Sequence, residues 1–318
     1  MPQIEVLVGL DVSGSQIDAH VLPGDPACRV ANDAAGRAEL LRWLQAAGVE
    51  LAVLEASGGC ERQLVRELRA AELAVRVVDP RRVREFASAA GKRAKNDRID
   101  AAMIARFAQT FPGEPGEHDP AREALAALVG ARQDLLEIRT SLGNRARHLE
   151  GRPLRGIQRV LKRVEAEIDG LERAIDKAIA ADTRFQARAH RLATVPGVGP
   201  VLIAALIAWL PELGRLDRRK LAALVGVAPF DDDTGDSHGQ RHIAGGRTAL
   251  RGVLYMATLA AVSCNNPVLK AMYRRLRQAG KAAKVALVAC MRKLVHILNV
   301  MIARQQDWNP NAATRPVA

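Results

Sequence analysis

Four acidic residues in the first third of the chain have the side chains and spacing that metal-dependent phosphoryl transfer needs. Asp11 lies in the apolar run IEVLVGLDV, Glu55 ends the run LAVLE, and Asp97 and Asp100 are three residues apart in AKNDRIDAAMIARFAQ. Carboxylates gathered at one place repel one another unless a divalent cation neutralises them, and Mg²⁺ prefers carboxylate oxygen. Two such ions about 3.5–4 Å apart stabilise in-line displacement at phosphorus. The four residues therefore predict a Mg²⁺ site.

Helix capping would also account for the acidic pair. Asp97 and Asp100 share one helix face and would be favourable near a helix N-terminus capped by Asn96. Asp11 is harder to account for without a partner, because an unpaired carboxylate within a buried strand is costly. Taken as one set, the four acids favour metal binding over helix capping.

A second cluster that could do chemistry lies in the glycine-rich stretch FDDDTGDSHGQRHIAGGRTALRG. Its loop offers the hydroxyls of Thr234 and Ser237, and the stretch contains three arginines, Arg241, Arg247 and Arg251. Covalent phosphoryl transfer requires a hydroxyl nucleophile together with guanidinium groups that stabilise a pentacoordinate phosphorus. The alternative is a polar loop whose hydroxyls are incidental.

Three further groups of residues are suited to binding a phosphate backbone. The glycine turn in LATVPGVGPVLIAALIAWL has the form of a helix-hairpin-helix, whose backbone N–H groups would face a phosphate, although a plain interhelical turn would look alike. Lys92, Arg93 and Lys95 cluster just before Asp97 and Asp100, although a charged surface that only contacts solvent would look the same. Between Asp236 and Asp307, 70 residues contain twelve Lys or Arg and no acid. The candidates are Gly197, Gly199, Lys92, Arg93, Lys95, Arg274, Arg275 and Arg277.

The composition agrees with a nucleic-acid partner. The chain has 47 Lys and Arg against 35 Asp and Glu, a net charge of +12, which favours a polyanion. Aromatic residues are only 3%, which argues against stacking on single-stranded bases, and the 48% of hydrophobic residues suffice for a folded core. The longest uncharged apolar run, Val201 to Leu210, is about half a membrane span, and the N-terminus lacks signal-peptide features. We therefore expect a cytoplasmic protein without membrane contact.

The elements that must position the acidic residues follow from the hydrophobic periodicity. Strands are predicted at 4–12, 16–22 and 28–30, followed by helix 35–47, strand 51–55, helix 62–71, strand 73–78 and helix 83–90. This order is typical of an α/β ribonuclease-H-like domain, which we assign to residues 1–111. In such a sheet the strands of Asp11 and Glu55 are neighbours, so their carboxylates can converge.

The rest of the chain is predicted to be helical. Prolines at 112, 115 and 120 indicate a linker. Leucines at threefold and sevenfold steps then predict a long helical or coiled-coil arm within 112–188, which could mediate dimerisation. Residues 139–163 of this arm carry eight Lys or Arg against one Glu. Residues 189–306 predict an all-α C-terminal domain that contains the helix-hairpin-helix and the hydroxyl loop, and 307–318 form a tail.

Together these motifs resemble a known family, the DEDD-type insertion-sequence transposases, which have a RuvC-like N-terminal domain and a serine-dependent C-terminal domain and act as bridge-RNA-guided DNA recombinases. The resemblance spans nearly the whole chain and rests on GLDVS, LEASGG, AKNDRIDA, VPGVG, VGVAPF, HIAGGRTALRGVLYMA and GKAAKVALVACMRKL. It implies that Asp11, Glu55, Asp97 and Asp100 bind Mg²⁺ and that a C-terminal hydroxyl becomes linked to DNA. It also implies a structured guide RNA and assembly as dimers or tetramers.

One position departs from the family pattern. Where the family has an acidic residue, Ser and Gly, this chain has Asp233-Thr234-Gly235, and the nearest serine is Ser237. A threonine hydroxyl can attack phosphorus, but its methyl group restricts χ1 and crowds the approach. We expect Thr234 to be the nucleophile, with Ser237 as the alternative.

Three functions are compatible with these features. The leading hypothesis is a DNA recombinase of a mobile element that forms a covalent protein–DNA phosphodiester and is guided by RNA. The second is a RuvC-like metal-dependent nuclease that hydrolyses DNA junctions without covalent attachment. The third is a nucleic-acid-binding protein without catalytic activity.

Overall fold

A computed structural model describes residues 6–91, 97–230, 233–234, 237–238, 242–263 and 266–310, with the backbone alone described at 97–99, 233–234 and 237–238. The chain divides into two compact units, Met1–His118 and Asp119–Ala318. The first unit is an α/β domain and the second is mainly helical. The predicted Lys92, Arg93, Lys95 and Arg241 lie outside the described residues.

The first unit has the predicted order of strands and helices. In chain order its elements are β1 (Leu7–Val12), β2 (Gln16–Leu22), β3 (Ala27–Ala31), α1 (Ala34–Ala46), β4 (Leu51–Glu55), α2 (Arg62–Ala70), β5 (Ala74–Val78), α3 (Pro80–Ala89) and α4 (Asp97–Thr110). The clearest difference is α3, which begins three residues before the predicted Val83. Asp79 accepts a hydrogen bond from the backbone N of Arg81 at 2.9 Å, and a proline at the first helical position is already suited to the helix.

The five strands form one mixed sheet in the order β3-β2-β1-β4-β5. β2 is antiparallel to β1 and β3, whereas β4 is parallel to β1 and β5. Alternate residues of β1 enter different cores: Val8 and Leu10 pack on the side of α1 and α2, and Leu7 packs with Ile104 and Phe107 of α4. Because side chains alternate along a strand, Gly9 and Asp11 belong to the face that α4 covers.

The second unit contains eight helices and four two-residue strands among its described residues. They are α5 (Pro120–Ala146), α6 (Gly151–Ala181), α7 (Thr183–Ala193), α8 (Pro200–Trp209), α9 (Arg218–Val225), β6 (Pro229–Phe230), β7 (Asp233–Thr234), β8 (Ser237–His238), β9 (His242–Ile243), α10 (Thr248–Ser263), α11 (Pro267–Gln278) and α12 (Ala283–Arg304). The core draws mainly on α8, which is buried along most of its length, and on α12.

The long helices α5 and α6 pack against each other as a helical hairpin, as predicted. Arg132 on α5 forms an ion pair with Glu172 on α6 at 2.6 Å, which links the two helices. Of the predicted leucine repeat on α5, Leu125 is fully buried, whereas Leu142 is half-buried. Pro153 lies in the first turn of α6, where a backbone N–H has no partner within the helix.

One helix among the described residues, α12, is long and apolar enough to cross a membrane, and α10 with α11 would pass that test only as one bent pair. More than half of the most apolar stretch of α12 is buried inside the protein. This is the position of a core helix, as the burial of Leu294 and Leu298 within the second unit shows.

Candidate functional site: a carboxylate cluster and a hydroxyl-bearing ribbon

Asp11 and Glu55 lie side by side at one edge of the sheet. The parallel register pairs Leu10 of β1 with Leu54 of β4, so Asp11 and Glu55 occupy the next position on adjacent strands. Both side chains are half-buried. Both also belong to the face of the sheet that α4 covers, since Val53, two residues before Glu55, packs in the same core as α4.

Gly9 allows α4 to approach this edge closely. A Cβ atom at residue 9 would lie 2.2 Å from the backbone oxygen of Ala101 and 2.4 Å from the backbone nitrogen of Ala105. Any side chain there would therefore push α4 away from β1. The close approach holds Asp100, which precedes Ala101, near the carboxyl ends of β1 and β4.

Burial and the charges at this edge raise the pKa of Glu55 from 4.5 to about 7. Burial is the main cause, and the negative charges of Asp11, Asp100 and Asp79 add to it, whereas the guanidinium of Arg84 acts in the opposite direction. A carboxylate whose pKa responds to three acids lies within electrostatic range of all of them. The structure thus brings together three of the four predicted acids, Asp11, Glu55 and Asp100. The side chain of Asp97, the first residue of α4, lies outside the described part.

Asp79 is an acidic residue of this edge that sequence reasoning missed. It follows β5 directly, and β5 lies beside β4 in parallel. The carboxyl ends of parallel strands meet at one edge, so the dipeptide Asp79-Pro80 after a buried strand was the available signal. Its carboxylate caps α3, which gives it a structural role as well as an electrostatic one.

The loop after Glu55 is held in place by a second carboxylate. Glu61 accepts hydrogen bonds from the backbone N of Gly59 at 2.8 Å and from the backbone N and Oγ of Ser57 at 3.1 and 3.0 Å. Burial alone would raise the pKa of Glu61, but these hydrogen bonds outweigh it and lower the pKa. The turn that leaves β4 is therefore fixed without using the carboxylate of Glu55.

The donor set at this edge has the chemistry that a divalent cation prefers, although its described side chains alone do not form a complete metal site. It consists of carboxylates alone and is half-buried, and burial together with the neighbouring negative charges keeps Glu55 partly protonated near neutral pH. Hard cations prefer such oxygen ligands. Among the side chains that the structure describes, no three His, Cys, Asp or Glu residues form a group able to hold a metal ion.

Thr234 and Ser237 face each other across a small hairpin. The backbone of β7 pairs with that of β8 so that Thr234 is opposite Ser237 and Asp233 is opposite His238. The paired strands β6 and β9, with Phe230 opposite His242, flank this hairpin in the chain on both sides. We call residues 229–243 the hydroxyl ribbon. Both candidate nucleophiles thus occupy one register position of it.

Arg251 connects the two chain segments that lead into the hydroxyl ribbon. Its Nη1 donates to the backbone oxygens of Gly226 at 3.2 Å and Gly245 at 2.8 Å. Gly246 has a φ of +71°, and a Cβ atom there would lie 2.3 Å from the backbone nitrogen of Gly226. Glycine is therefore required where the segments touch. Arg251, predicted to bind nucleic acid, has its guanidinium engaged in holding the ribbon.

Arg247, also predicted to bind nucleic acid, forms a two-point ion pair. Its Nη1 and Nη2 each lie 2.6 Å from a carboxylate oxygen of Glu212, and Nη1 also donates to the backbone oxygen of Trp209 at 2.7 Å. Burial would raise the pKa of Glu212, but the hydrogen bonds and charge of Arg247 lower it. The pair links the residue before α10 to the segment after α8.

The predicted glycine turn connects α7 to α8. Gly197 has a φ of +90°, and a Cβ atom there would lie 2.4 Å from Cβ of Ala261 on α10. Packing therefore explains this glycine. Gly199 is the N-terminal cap residue of α8 and has open space around its Cα. Arg274, Arg275 and Arg277 on α11 are all exposed, and Arg277 donates to the backbone oxygen of Lys281 at 2.6 Å. Their contact with nucleic acid stays a prediction.

Comparison with known proteins identifies the family. Residues 8–149 match a transposase family model of the DEDD, IS110 type, and residues 189–274 match the transposase IS116/IS110/IS902 family. The chain is 25% identical over 316 residues to a pilin gene-inverting protein of Moraxella lacunata, covering 95% of this chain and 97% of the relative. It is 26% identical over 308 residues to a probable family 20 transposase of Pseudomonas aeruginosa, covering 82% and 86%.

The two family matches fall on the two parts of the chain that carry the predicted chemistry. The first includes Asp11, Glu55, Asp97 and Asp100, and the second includes the hydroxyl ribbon. The full-length relatives extend the similarity across the segment between them. This chain is a DNA transposase or recombinase that belongs to the IS110/IS116/IS902 family.

Proposed function

We propose that this transposase cuts and rejoins DNA strands with a Mg²⁺ site made of Asp11, Glu55, Asp97 and Asp100. The observation that carries the proposal is the position of Asp11, Glu55 and Asp100 at one sheet edge, where burial and then the charges of Asp11 and Asp100 raise the pKa of Glu55 to about 7. When bound there, Mg²⁺ would stabilise the negative charge that develops at a phosphate during strand transfer. Asp11 and Glu55 supply ligands from rigid strands, and α4 supplies Asp100 and, one turn earlier, Asp97.

The sheet supports assignment of the first unit to the ribonuclease-H-like, RuvC-like fold. Three antiparallel strands followed by two parallel ones, in the order β3-β2-β1-β4-β5, are the arrangement that this assignment expects. The second unit supports a helix-hairpin-helix role for Gly197 and Gly199, since the turn joins two helices and both glycines are exposed. The backbone N–H groups at the start of α8 would then face a DNA phosphate.

The nucleophile that we propose is the hydroxyl of Thr234. In the first step an oxygen–phosphorus bond forms between this hydroxyl and the scissile phosphate, and the bond from phosphorus to a deoxyribose oxygen breaks. The proton of the hydroxyl passes to that leaving oxygen. In the second step the free hydroxyl of the strand to be joined attacks the same phosphorus and Thr234 is regenerated, so rejoining needs no external energy source. Arg251 positions the ribbon for both steps.

A guide RNA and a homo-oligomer complete the proposal. The basic character of residues 139–163 and of the acid-free stretch 237–306 is suited to a structured RNA as well as to DNA. The helical hairpin exposes Ile138 and Val160, which are 46% and 51% accessible, and these apolar side chains would be covered in a dimer or tetramer. The reaction takes place in the cytoplasm. Like the pilin gene-inverting relatives, the protein would be able to invert a DNA segment.

Trapping of reaction products tests this proposal. The purified protein, its co-purifying RNA and a donor–target DNA pair are incubated with Mg²⁺ and resolved under denaturing conditions. A protein–DNA adduct that Asp11→Asn abolishes is expected. Free ends with 3′-hydroxyl and 5′-phosphate but no adduct would instead identify a hydrolytic nuclease, and absence of both products would indicate a binding protein. Sequencing of the co-purifying RNA tests guidance independently.

Variants of the hydroxyl ribbon locate the nucleophile. We expect Thr234→Ala to abolish the adduct, Thr234→Ser to retain or raise its rate because the crowding methyl group is removed, and Ser237→Ala to leave it nearly unchanged. Peptide mass spectrometry of the adduct places the phosphoryl link directly. A link on Ser237 would overturn the assignment to Thr234.

Neutralisation of three arginines on α11 tests whether the acid-free stretch 237–306 contacts nucleic acid. We expect the triple substitution of Arg274, Arg275 and Arg277 by Gln to weaken nucleic-acid binding. It should also flatten the dependence of log affinity on log salt concentration by about 0.7–0.9 for each phosphate that the variant no longer neutralises. An unchanged slope would assign these arginines to a solvated helix face.

A further inference from the structure

The first three turns of α6 carry a face of basic side chains. Arg152, Arg155, Arg159 and Lys162 are all exposed, and together with Gln158 they line a cleft of about 640 Å³. We call these four cations the basic arm face. Neither family match includes them, since the first ends at residue 149 and the second begins at residue 189.

The basic arm face points away from the packing surface of the arm. Steps of three, four and three residues keep the four cations within an arc of roughly 80° at about 3.6 residues per turn. The side of α6 that packs on α5 lies opposite and includes the half-buried Leu161 and the buried Val164. The cations are therefore presented to solvent by a helix that is fixed on its other side.

No carboxylate neutralises the basic arm face within the part of the chain that the structure describes. None of its four cations takes part in an ion pair, and the first turn of α6 contains no acid. The nearest ion pair on α6 joins Arg163 to Glu167 at 3.2 Å. Cations in the first turn of a helix are also unfavourable because the helix N-terminus is itself positive. This concentration of unpaired charge is suited to a polyanion.

We propose that the basic arm face binds the phosphate backbone of duplex DNA at a contact separate from the chemistry. Arg152 and Lys162 are ten residues apart, a rise of about 15 Å along the helix. Duplex DNA carries one phosphate charge per about 1.7 Å of its axis, so several phosphates lie within reach of four cations. Guanidinium groups bind phosphate through two parallel hydrogen bonds. DNA is the substrate of this family, and Gln158 in the centre of the face provides no apolar surface for a membrane.

The salt dependence of DNA binding tests the proposal. The full-length protein and the variant with Arg152, Arg155 and Arg159 changed to Gln are titrated against a fluorescent 30-base-pair DNA in EDTA at several KCl concentrations. We expect the slope of log affinity against log salt to fall by about 0.9 for each phosphate that the variant no longer neutralises, or up to about 2.7 for the three arginines. Because EDTA prevents cleavage, a failure of the proposed covalent chemistry would leave this measurement unchanged.

A charge-matched control separates a local contact from the effect of net charge. Arg42 on α1 and Arg62 and Arg66 on α2 are exposed, and their triple change to Gln removes the same three charges. The control variant should keep the slope of the unmodified protein. Thermal melting of both variants checks that each is folded.

Three outcomes would overturn the proposal. The first is an equal loss of slope in the arm variant and in the control. The second is a loss that appears with a 30-base-pair RNA duplex but not with DNA, which would assign the face to the guide. The third is an unchanged slope with a changed oligomer size in analytical ultracentrifugation, which would assign the face to subunit association.

Discussion

Replacement of Glu55 by Gln will stabilise the metal-free protein above neutral pH. The folded protein holds the pKa of this side chain at about 7, against 4.5 without its surroundings, mainly through burial and then through Asp11 and Asp100. Below pH 4.5 the carboxyl is protonated in both states and has no effect on stability. Between pH 4.5 and 7 the unfolded chain releases the proton first, so stability falls as the pH rises. Above pH 7 the carboxylate is charged in both states, and the free energy of unfolding is lowered by the full unfavourable energy of the charged form in the folded protein.

The size of this effect follows from the pKa shift. One pKa unit corresponds to about 1.4 kcal/mol, so a shift from 4.5 to about 7 sets an upper limit of about 3.4 kcal/mol. Glu55 is only half-buried, and solvent screening reduces the expected cost to about 2 kcal/mol. For a unit of this size, Glu55→Gln should raise the melting temperature at pH 8.5 by roughly 5–10 °C and change it little at pH 4.

Differential scanning calorimetry in EDTA, from pH 4 to 9, measures the effect. The exposed Glu50, changed to Gln, serves as the control, and its melting temperatures should follow those of the unmodified protein. Added Mg²⁺ should stabilise the unmodified protein at pH 8.5 and should stabilise Glu55→Gln less, because this variant has one ligand fewer. Equal pH profiles for the unmodified protein and Glu55→Gln would refute the reasoning that a crowded carboxylate site exists at this sheet edge.

Three other substitutions probe the elements around the two sites. Gly9→Ala should destabilise the first unit by about 1–3 kcal/mol in urea unfolding, because its Cβ has no space beneath α4, whereas Gly14→Ala, with nothing within 4 Å, should change stability little. Glu212→Gln should cost about 1–3 kcal/mol at pH 7, where the carboxylate pairs with Arg247. Because the pKa of Glu212 is lowered, that difference should be lost in melts as the pH falls from 4.5 through the lowered pKa of the folded state. Arg251→Lys should slow adduct formation about tenfold, a barrier of about 1.4 kcal/mol, without changing KM or the salt slope of DNA binding.

The positions of Asp11 and Glu55 could be predicted from the sequence. The local hydrophobic pattern locates their strands, and the order of the elements predicts that these strands are neighbours. Continuous apolar runs located β1 and β4, and a parallel pairing of these strands places Asp11 and Glu55 at adjacent positions. The close approach of α4 was not predictable from these strands. It depends on Gly9 lying beneath Ala101, a contact between residues far apart in the chain, and a lone glycine in a strand is equally compatible with a bulge or a tight bend.

The roles of individual arginines were less predictable than the positions of the acids. Arg247 and Arg251 lie in a basic, acid-free stretch, which favours a nucleic-acid contact for each. Their partners, Glu212 and the backbone oxygen of Gly226, are 35 and 25 residues away in the chain and come close only when α8, α9 and α10 pack. The sequence shows which residues are charged, but it does not show whether a charged side chain is already paired with another group in the folded protein.

The difference between paired and unpaired arginines changes which part of the chain is expected to contact DNA. Twelve Lys or Arg in residues 237–306 equal the net charge of the chain, so composition alone assigns the phosphate contacts to that stretch. The structure pairs Arg247 with a carboxylate, which neutralises its charge, whereas Arg251 donates Nη1 to two backbone oxygens and keeps its charge. The four cations of the basic arm face have no such partners among the described residues. A cation releases counterions from DNA only where it contacts a phosphate. The salt slope is therefore determined by the unpaired cations that can reach a phosphate, and not by the local net charge. The basic arm face, with four cations against the twelve of the acid-free stretch, therefore contributes a share of that slope that its residue count understates.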